Sequence, residues 1–275
     1  MIVKLYRKLP VGFRLIIYNC FLGTILNYIR NPQALKYCFK EPQIKRKLIE
    51  FLPLFKNKNG LEVGGGSYLF SKEGNLPIYC VAIRLDGCSY SNQTVWEGNL
   101  SQGTYKYKGV NLGTQFIGEA TEIEMIVGKM YDFIISSNCL EHVANPLKAV
   151  KSWLNVLNAG GYILLILPNK ISNFDHRRPD TSFSHLLEDY ANDVNENDMT
   201  HFDEIIELHD LDKDVVGNNK DVFIGRSMKN DENRCFHHHI FTVKLLEEIF
   251  SYFNLEIIYS QEGWDNIYIL GRKLK

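Results

Sequence analysis

Two neighbouring stretches of the sequence decide the fold, YDFIISSNCLEHVANP (131–146) and VLNAGGYILLILP (156–168). Each contains a short apolar run, at 133–135 and at 162–167, that is bounded by Asp, Gly or Pro. Runs of this length are too short for helices and are typical of strands buried in a parallel sheet. We therefore predict two adjacent strands of an α/β sheet.

A helix is expected between these two strands. Asn145 can cap it, Pro146 suits its first position, and the pair Gly160 and Gly161 is expected to end it. Its apolar face consists of Leu147, Val150, Leu154 and Leu157. Strand, helix and strand joined by a glycine turn form the crossover unit of an α/β sheet.

The chain on either side continues this pattern. Earlier strands are predicted at 61–63 and 79–83. After a long polar stretch we predict a helix at 243–253 and two closing strands at 255–260 and 266–271. The order of elements favours the α/β class.

The first of these strands runs into a glycine-rich turn, LEVGGGS (61–67). Glycines at such a turn let backbone N–H groups approach a ligand closely. The dinucleotide pattern G-x-G-x-x-G is not met, because Leu69 stands at its last position. The Lys-Ser/Thr pair of a nucleoside triphosphate loop is also missing.

Taken in order, these motifs resemble those of the class I S-adenosylmethionine-dependent methyltransferases. In that family an acidic-plus-glycine strand end, a D-x-I-x-S…L-E-H-V…P segment and a V-L-x-x-G-G-x-L-x-x-x-x-P segment follow one another at about this spacing, here over roughly residues 58–170. The resemblance implies S-adenosylmethionine as cofactor. It also implies a Rossmann-like, mostly parallel seven-stranded sheet with helices on both faces.

The resemblance assigns cofactor-binding roles position by position. The glycine turn, which holds the methionine end in the family, corresponds to Glu62, Gly64, Gly65 and Gly66. The positions implied for the ribose, the adenine and the end of the fourth strand are Asp86, then Glu119 and Ala120, then Ser137, Asn138 and Leu140. Tyr68 departs from the family pattern, because many relatives have a small residue there.

A polar insertion at about 171–240 follows the fifth strand, at the sheet edge where an acceptor is expected. Residues 175–215 contain thirteen Asp or Glu against three Arg or Lys, and four of the eight histidines. Transfer of a methyl group to a hydroxyl needs a general base, for which His is suited near neutral pH. The candidates are His176, His237, His238 and His239. Arg177 and Arg178 are predicted to orient an anionic or polyhydroxylated acceptor.

Two other interpretations of the insertion stay open. His with Asp or Glu suits a divalent ion, and some methyltransferases use magnesium to hold two acceptor hydroxyls. No spacing matches a defined metal motif, so no metal ligand is predicted. The acidic run is also typical of a solvated helical face, and the three adjacent histidines cannot all point one way.

Residues 1–56 are predicted to form a basic helical arm, and residues 57–275 the methyltransferase domain. The first 50 residues contain ten Lys or Arg against two Glu. An apolar segment at 11–29 is interrupted by Arg14, which disfavours a membrane span, and it lacks a signal-peptide cleavage site. Three alternatives stay open for the arm: contact with a membrane surface, with the protein's own core or with a second subunit.

Charge and cysteine content narrow the expected function. The formal net charge is −1, which provides no general attraction to nucleic acid, and six scattered cysteines favour a reduced, cytoplasmic setting. We predict O-methylation of a small-molecule or glycan acceptor, as in polysaccharide biosynthesis by similar proteins. The alternatives are a lipid-linked acceptor at the inner face of the membrane, and a non-catalytic cofactor-binding protein.

Overall fold

The computed structural model describes Tyr37 and residues 40–100, 102–214 and 219–274. Two compact units divide the chain, 1–44 and 45–275, whereas the sequence predicts a boundary after residue 56. The apolar segment at 11–29 lies outside the described residues. Among the described helices, none is both long enough and apolar enough to cross a bilayer.

The described residues form eight α-helices and eleven strands. The helices are α1 (Lys40–Glu50), α2 (Ile123–Val127), α3 (Pro146–Asn155), α4 (Phe183–Ala191), α5 (Phe202–Leu208), α6 (Lys220–Ser227), α7 (Asn230–Asn233) and α8 (Val243–Tyr252). The strands are β1 (Asn59–Val63), β2 (Arg84–Ser89), β3 (Gln93–Thr94), β4 (Gly98–Asn99), β5 (Tyr105–Tyr107), β6 (Val110–Gly113), β7 (Gln115–Ile117), β8 (Tyr131–Ser137), β9 (Leu157–Pro168), β10 (Leu255–Glu262) and β11 (Asn266–Lys273).

Seven of these strands form one sheet in the order β10-β11-β9-β8-β1-β2-β7. β11 runs antiparallel to both of its neighbours, and the other pairs are parallel. Close packing of β1 on β8 explains Gly60, since a Cβ there would lie 2.1 Å from the Phe133 ring. The predicted Rossmann-like, mostly parallel seven-stranded sheet is confirmed.

Two local predictions are wrong. The apolar run at 79–83 is not a strand: residues Ile78–Cys80 form a 3-10 turn and β2 begins at Arg84. Apolarity misleads there because β2 is built from polar and small residues that are buried. The helix α3 ends at Asn155, and Gly160 and Gly161 lie in an irregular part of β9 instead.

The sequence did not reveal two small hairpins between β2 and β7. They consist of β3 with β4 and of β5 with β6. Their strands are two to four residues long, so alternation of polar and apolar residues is too brief to detect.

The polar insertion after β9 is largely helical and contains α4, α5, α6 and α7. It has a small core of its own, formed by Ile205, Phe223 and Phe236 with partly buried apolar neighbours. Ion pairs that join an arginine or histidine to a carboxylate, several of them buried, also hold the insertion together.

Asn145 joins the sheet domain to this insertion. Its side-chain oxygen accepts a hydrogen bond from the Lys148 N–H at 3.1 Å and so caps α3, as predicted. Its amide donates to the carbonyls of Asp189 at 3.0 Å and Val194 at 3.4 Å. The side chain is fully buried, so all of these bonds form away from water.

Asn145→Ala is expected to lower the free energy of unfolding by about 2 kcal/mol, because it removes a helix cap and the hydrogen bonds that its buried amide donates to the Asp189 and Val194 carbonyls. Urea denaturation measures this loss. Asn155→Ala, at the exposed end of the same helix, is the control and should change stability by less than about 0.5 kcal/mol. Equal losses in the two variants would contradict this account of the cap.

Candidate active site

A cavity of about 760 Å³ opens where β1, β2, β7, β8 and β9 end. Carboxyl ends of parallel strands meet at one sheet edge, which is where this class of fold binds ligands. The opposite wall comes from the β3–β4 hairpin and from the insertion, through residues such as Trp96, Glu196, Arg234 and His237.

The glycine turn after β1 forms one side of the cavity. Gly64 has φ of +101° and Gly65 of +92°, a region that L side chains rarely adopt. A Cβ on Gly64 would lie 2.4 Å from the Cβ of Cys139, and one on Gly65 would lie 2.3 Å from the Glu97 carboxylate. The turn therefore requires glycine, and its backbone faces the space in which the cofactor is expected.

Glu62 is hydrogen-bonded to this turn but does not line the cavity. Its carboxylate accepts hydrogen bonds from the hydroxyls of Tyr105 at 2.7 Å and Tyr79 at 2.8 Å, and from the Ser67 N–H at 3.2 Å. Burial raises the pKa of Glu62 to about 8, against these three donors. The donors hold the side chain in place under the turn.

Glu97 was not predicted as a site residue, yet it lies beside the glycine turn. It accepts hydrogen bonds from the Gly66 N–H at 3.2 Å and from the Ser89 hydroxyl at 3.1 Å. Trp96, next to it at the hairpin tip, packs on His142 with ring centroids 5.0 Å apart. The hairpin thus closes one side of the cavity, although its sequence contains no motif.

Glu119 and Ala120, the positions that the resemblance implies for the adenine, both line the cavity. The Glu119 carboxylate pairs with the Arg234 guanidinium at 2.7 Å. Arg234 comes from the insertion and also covers the Tyr90 ring at 5.3 Å. This ion pair connects the end of β7 to the insertion across the cavity.

His237 reaches the cavity from the insertion and is paired with a buried carboxylate. Its Nδ1 lies 2.5 Å from Asp175 Oδ2, and Asp175 also accepts from the Arg178 guanidinium at 3.3 Å. Because a carboxylate only accepts, Nδ1 carries the proton and Nε2 is left as the acceptor nitrogen. This is the arrangement of a histidine oriented by a carboxylate.

The sequence of this chain matches a known protein family over most of its length. A family model described as a methyltransferase domain matches residues 36–260. The chain belongs to this methyltransferase family. A search of curated proteins finds no match.

Several solved structures are similar to this methyltransferase. The N-methyltransferase NodS from Bradyrhizobium japonicum WM9 is 12% identical, with 86% of this chain and 97% of that chain covered and a TM-score of 0.43. An S-adenosylmethionine-dependent methyltransferase from Mesorhizobium loti is 13% identical, with coverage of 83% and 96% and a TM-score of 0.46. A putative one from Listeria monocytogenes is 16% identical, with coverage of 84% and 97% and a TM-score of 0.46.

S-adenosylmethionine is the methyl donor of this class I methyltransferase. The cavity fits a cofactor of this kind, since it has a volume of about 760 Å³ and the glycine turn forms part of its wall. Its walls contain more carboxylates than guanidinium groups, which favours the positive charge of a sulfonium. The carboxylates are those of Glu97, Glu119, Glu141, Glu196 and Asp214, and the cations are Arg226 and Arg234.

The predicted cofactor residues divide into two groups. The cavity wall includes Gly64, Gly65, Gly66, Glu119, Ala120, Ser137 and Asn138. Glu62, Asp86 and Leu140 lie elsewhere: Glu62 under the turn, and Leu140 in the hydrophobic core. Tyr68, the departure from the family pattern, is half-exposed at the cavity and donates its hydroxyl to the Glu73 carbonyl.

The structure does not bring Asp86 to the cavity. It lies in the first half of β2, where it accepts hydrogen bonds from the Thr114 N–H at 2.7 Å and the Tyr131 hydroxyl at 3.0 Å and pairs with Lys129. Burial acts to raise the pKa of Asp86, but Lys129 and the other donors outweigh it and lower the pKa. The residue at the end of β2 is Ser89. The sequence assigned Asp86 to this position because it placed the second strand too early in the chain, at 79–83.

The predicted acceptor-site histidines separate in the same way. Of the four candidates, only His237 lines the cavity. His176 pairs with Asp210 at 2.7 Å near the surface, His238 contacts Asn230 at 3.0 Å, and His239 contacts Asp189 at 2.9 Å. The three rings contact different partners, Asp175, Asn230 and Asp189, so they do not act together at the cavity.

Neither predicted arginine lines the cavity. Arg177 is half-exposed and pairs with Asp210 at 3.3 Å. Arg178 is buried, donates to Asp175, and donates to the His237 carbonyl at 2.7 Å. It therefore positions the segment that carries His237 and does not itself reach an acceptor.

Glu141 and His142, which belong to the L-E-H-V segment of the resemblance, also line the cavity. Glu141 is buried at the cavity wall, and neither carboxylate oxygen has a hydrogen-bond partner among the described residues. Burial raises the pKa of Glu141 to about 7 and lowers the pKa of His142 to about 3. His142 Nδ1 is 2.7 Å from the Phe236 carbonyl, which fixes the ring.

Two groups of side chains have the composition of metal ligands. Glu141, His142 and His237 each offer one ligand atom within 4.8 Å of the others, at the cavity. His185, His201 and His239 do the same within the insertion. Sequence spacing revealed neither group, because their members come from distant segments.

Gly64→Ala is expected to weaken binding of S-adenosylmethionine by roughly tenfold or more, because the new Cβ overlaps Cys139 and favours a different φ. Calorimetric titration with S-adenosylhomocysteine measures the loss. Gly128→Ala is a control matched for backbone strain, since Gly128 has φ of +59° and its Cβ would meet nothing within 4 Å. Unchanged affinity in Gly64→Ala would contradict the assignment of the turn.

Proposed function

We propose that this methyltransferase methylates a hydroxyl group of a small-molecule or glycan acceptor and that His237 is the general base. The observation that carries the proposal is the pairing of His237 with buried Asp175 at the cavity wall. S-adenosylmethionine supplies the methyl group. The residues of the chain must then hold the acceptor oxygen in line and accept its proton.

The environment of His237 suits proton transfer. Burial acts to lower its pKa, but the Asp175 carboxylate, through its charge and hydrogen bond, and the Glu141 charge outweigh this and raise the pKa. Asp175 itself is kept ionised, since His237 and Arg178 lower its pKa against the effect of burial. A hydroxyl proton taken up by Nε2 is stabilised by the carboxylate on the other side of the ring.

Glu141 is the second acceptor-binding candidate. Its unpaired, buried carboxylate lies in the same cluster as His237 and can accept a hydrogen bond from a hydroxyl of the acceptor. An unsatisfied buried carboxylate costs free energy, so a donor from the ligand compensates a group that the fold leaves without one.

The composition of the cavity supports an uncharged, hydroxyl-bearing acceptor. The five carboxylates of the wall can accept hydrogen bonds from hydroxyl groups, and they repel an anionic ligand. This repulsion argues against the anionic acceptor that the sequence also allowed, and against nucleic acid. The half-exposed Trp96 ring adds an apolar surface of the kind that a sugar ring can pack against. Polysaccharide or other glycan acceptors combine these two properties.

We propose a cytoplasmic location on the basis of the cysteine content. The four cysteines within the described residues, Cys80, Cys88, Cys139 and Cys235, are all free thiols. A reducing compartment suits this state. For the arm at residues 1–56, we propose contact either with a membrane surface or with a second subunit.

The proposal is tested with tritium-methyl-labelled S-adenosylmethionine against a panel of monosaccharides, neutral oligosaccharides, phenols and primary amines. Methyl transfer to hydroxyl compounds is expected. His237→Ala should then lower the rate by roughly 10²–10⁴-fold, because a positioned general base contributes about that much, while cofactor affinity stays unchanged.

Two controls separate the roles. His176→Ala should retain full activity, since His176 lies outside the cavity and pairs with Asp210. Asp175→Asn should lose activity in the same direction as His237→Ala. Transfer to amines alone, or full activity in His237→Ala, would contradict the proposal. Activity that chelation abolishes and added divalent metal restores would assign Glu141, His142 and His237 to metal binding instead.

A further inference from the structure

Three histidines converge inside the insertion, away from the methyl-transfer cavity. His185 lies in α4, His201 directly precedes α5, and His239 lies in the segment before α8. Their ring centroids are 5.0, 5.5 and 5.6 Å apart, which is nearly an equilateral triangle. One ring nitrogen of each lies within 4.8 Å of the other two.

Asp189 provides a fourth donor at the same point. It follows His185 by four residues in α4, so both side chains lie on one face of the helix. Its Oδ2 is 2.9 Å from His239 Nε2 and 3.4 Å from His185 Nε2, and His185 Nε2 is 3.0 Å from His201 Nε2. Four ligands around a tetrahedral zinc ion are about 3.3 Å apart, since Zn–N bonds are about 2.0–2.1 Å long.

The charges around the cluster also suit a cation. The nearby Arg178 is balanced by two carboxylates, Asp175 at 3.3 Å and Glu204 at 2.8 Å. With Asp189 these groups carry a net charge of −2, since three carboxylates face one guanidinium.

We propose that His185, Asp189, His201 and His239 form a structural zinc site that holds the insertion together. Three imidazole nitrogens and one carboxylate oxygen are ligands that zinc accepts in tetrahedral geometry. All four positions are filled by protein, and none of the four residues lines the methyl-transfer cavity. The site is therefore closed, as structural zinc sites are.

A metal ion at this site would stabilise the insertion. The insertion has a small apolar core, centred on Ile205, Phe223 and Phe236, and α5 has only seven residues. Ligands 16 and 38 residues apart in sequence, from 185 to 201 and from 201 to 239, would be joined by the ion. Small polar assemblies of this kind gain much of their stability from a bound metal.

The test uses the full-length chain produced without a polyhistidine tag and dialysed against metal-free buffer. Elemental analysis should then find about one zinc per chain, and a chelator should lower the melting temperature reversibly. Cobalt substitution of the parent protein should give the visible absorption of a tetrahedral site, a readout that does not depend on activity. Absence of both retained zinc and this spectrum in the parent would overturn the proposal.

The variants identify the ligands. Asp189→Asn, His185→Ala and His201→Ala should each lose zinc, whereas His176→Ala, an insertion histidine outside the cluster, should retain it. His142→Ala should also retain it, because His142 belongs to the cluster at the cavity. Loss of zinc in His142→Ala with retention in His185→Ala would place the metal at the cavity and overturn the proposal.

Discussion

The buried ion pair between Arg178 and Asp175 is the interaction on which the insertion side of the cavity depends. Both side chains are almost completely buried, and Arg178 also donates to Glu204 and to the carbonyls of His237 and His238. Removing either charge would leave the other uncompensated in a low-dielectric interior. One guanidinium therefore fixes both the carboxylate that orients His237 and the backbone that carries it.

The two halves of the site are built on different physical principles. On the cofactor side, backbone geometry provides the surface: the glycine turn after β1 and the ends of parallel strands require little side-chain chemistry. On the insertion side, histidines and carboxylates provide it, and they are held by ion pairs and hydrogen bonds.

Charged groups on the two sides of the cavity interact with each other and with whatever binds there. Burial raises the pKa of both Glu141 and Glu196 to about 7, so these carboxylates respond to the charge of whatever enters. A cationic cofactor stabilises their ionised forms, and ionised carboxylates in turn bind it more strongly. Arg234 limits this accumulation of negative charge by pairing with Glu119 and approaching Glu196 at 3.9 Å.

The sequence by itself determined the fold class, the family and the glycine turn after β1, because these depend on local signals. The apolar runs of β8 and β9, the cap at Asn145 and the glycines at 64–66 act over a few neighbouring residues, and a pattern over that range is legible in one chain. The wrong strand at 79–83 shows the limit, since β2 is polar and its burial depends on partners such as Lys129 and Tyr131. Only the tertiary structure decided which histidine reaches the cavity, because neighbours in sequence point in different directions. It also brought together Asp175 with His237 and His185 with His201 and His239, since contacts between residues so far apart are made by packing and leave no periodicity in the sequence.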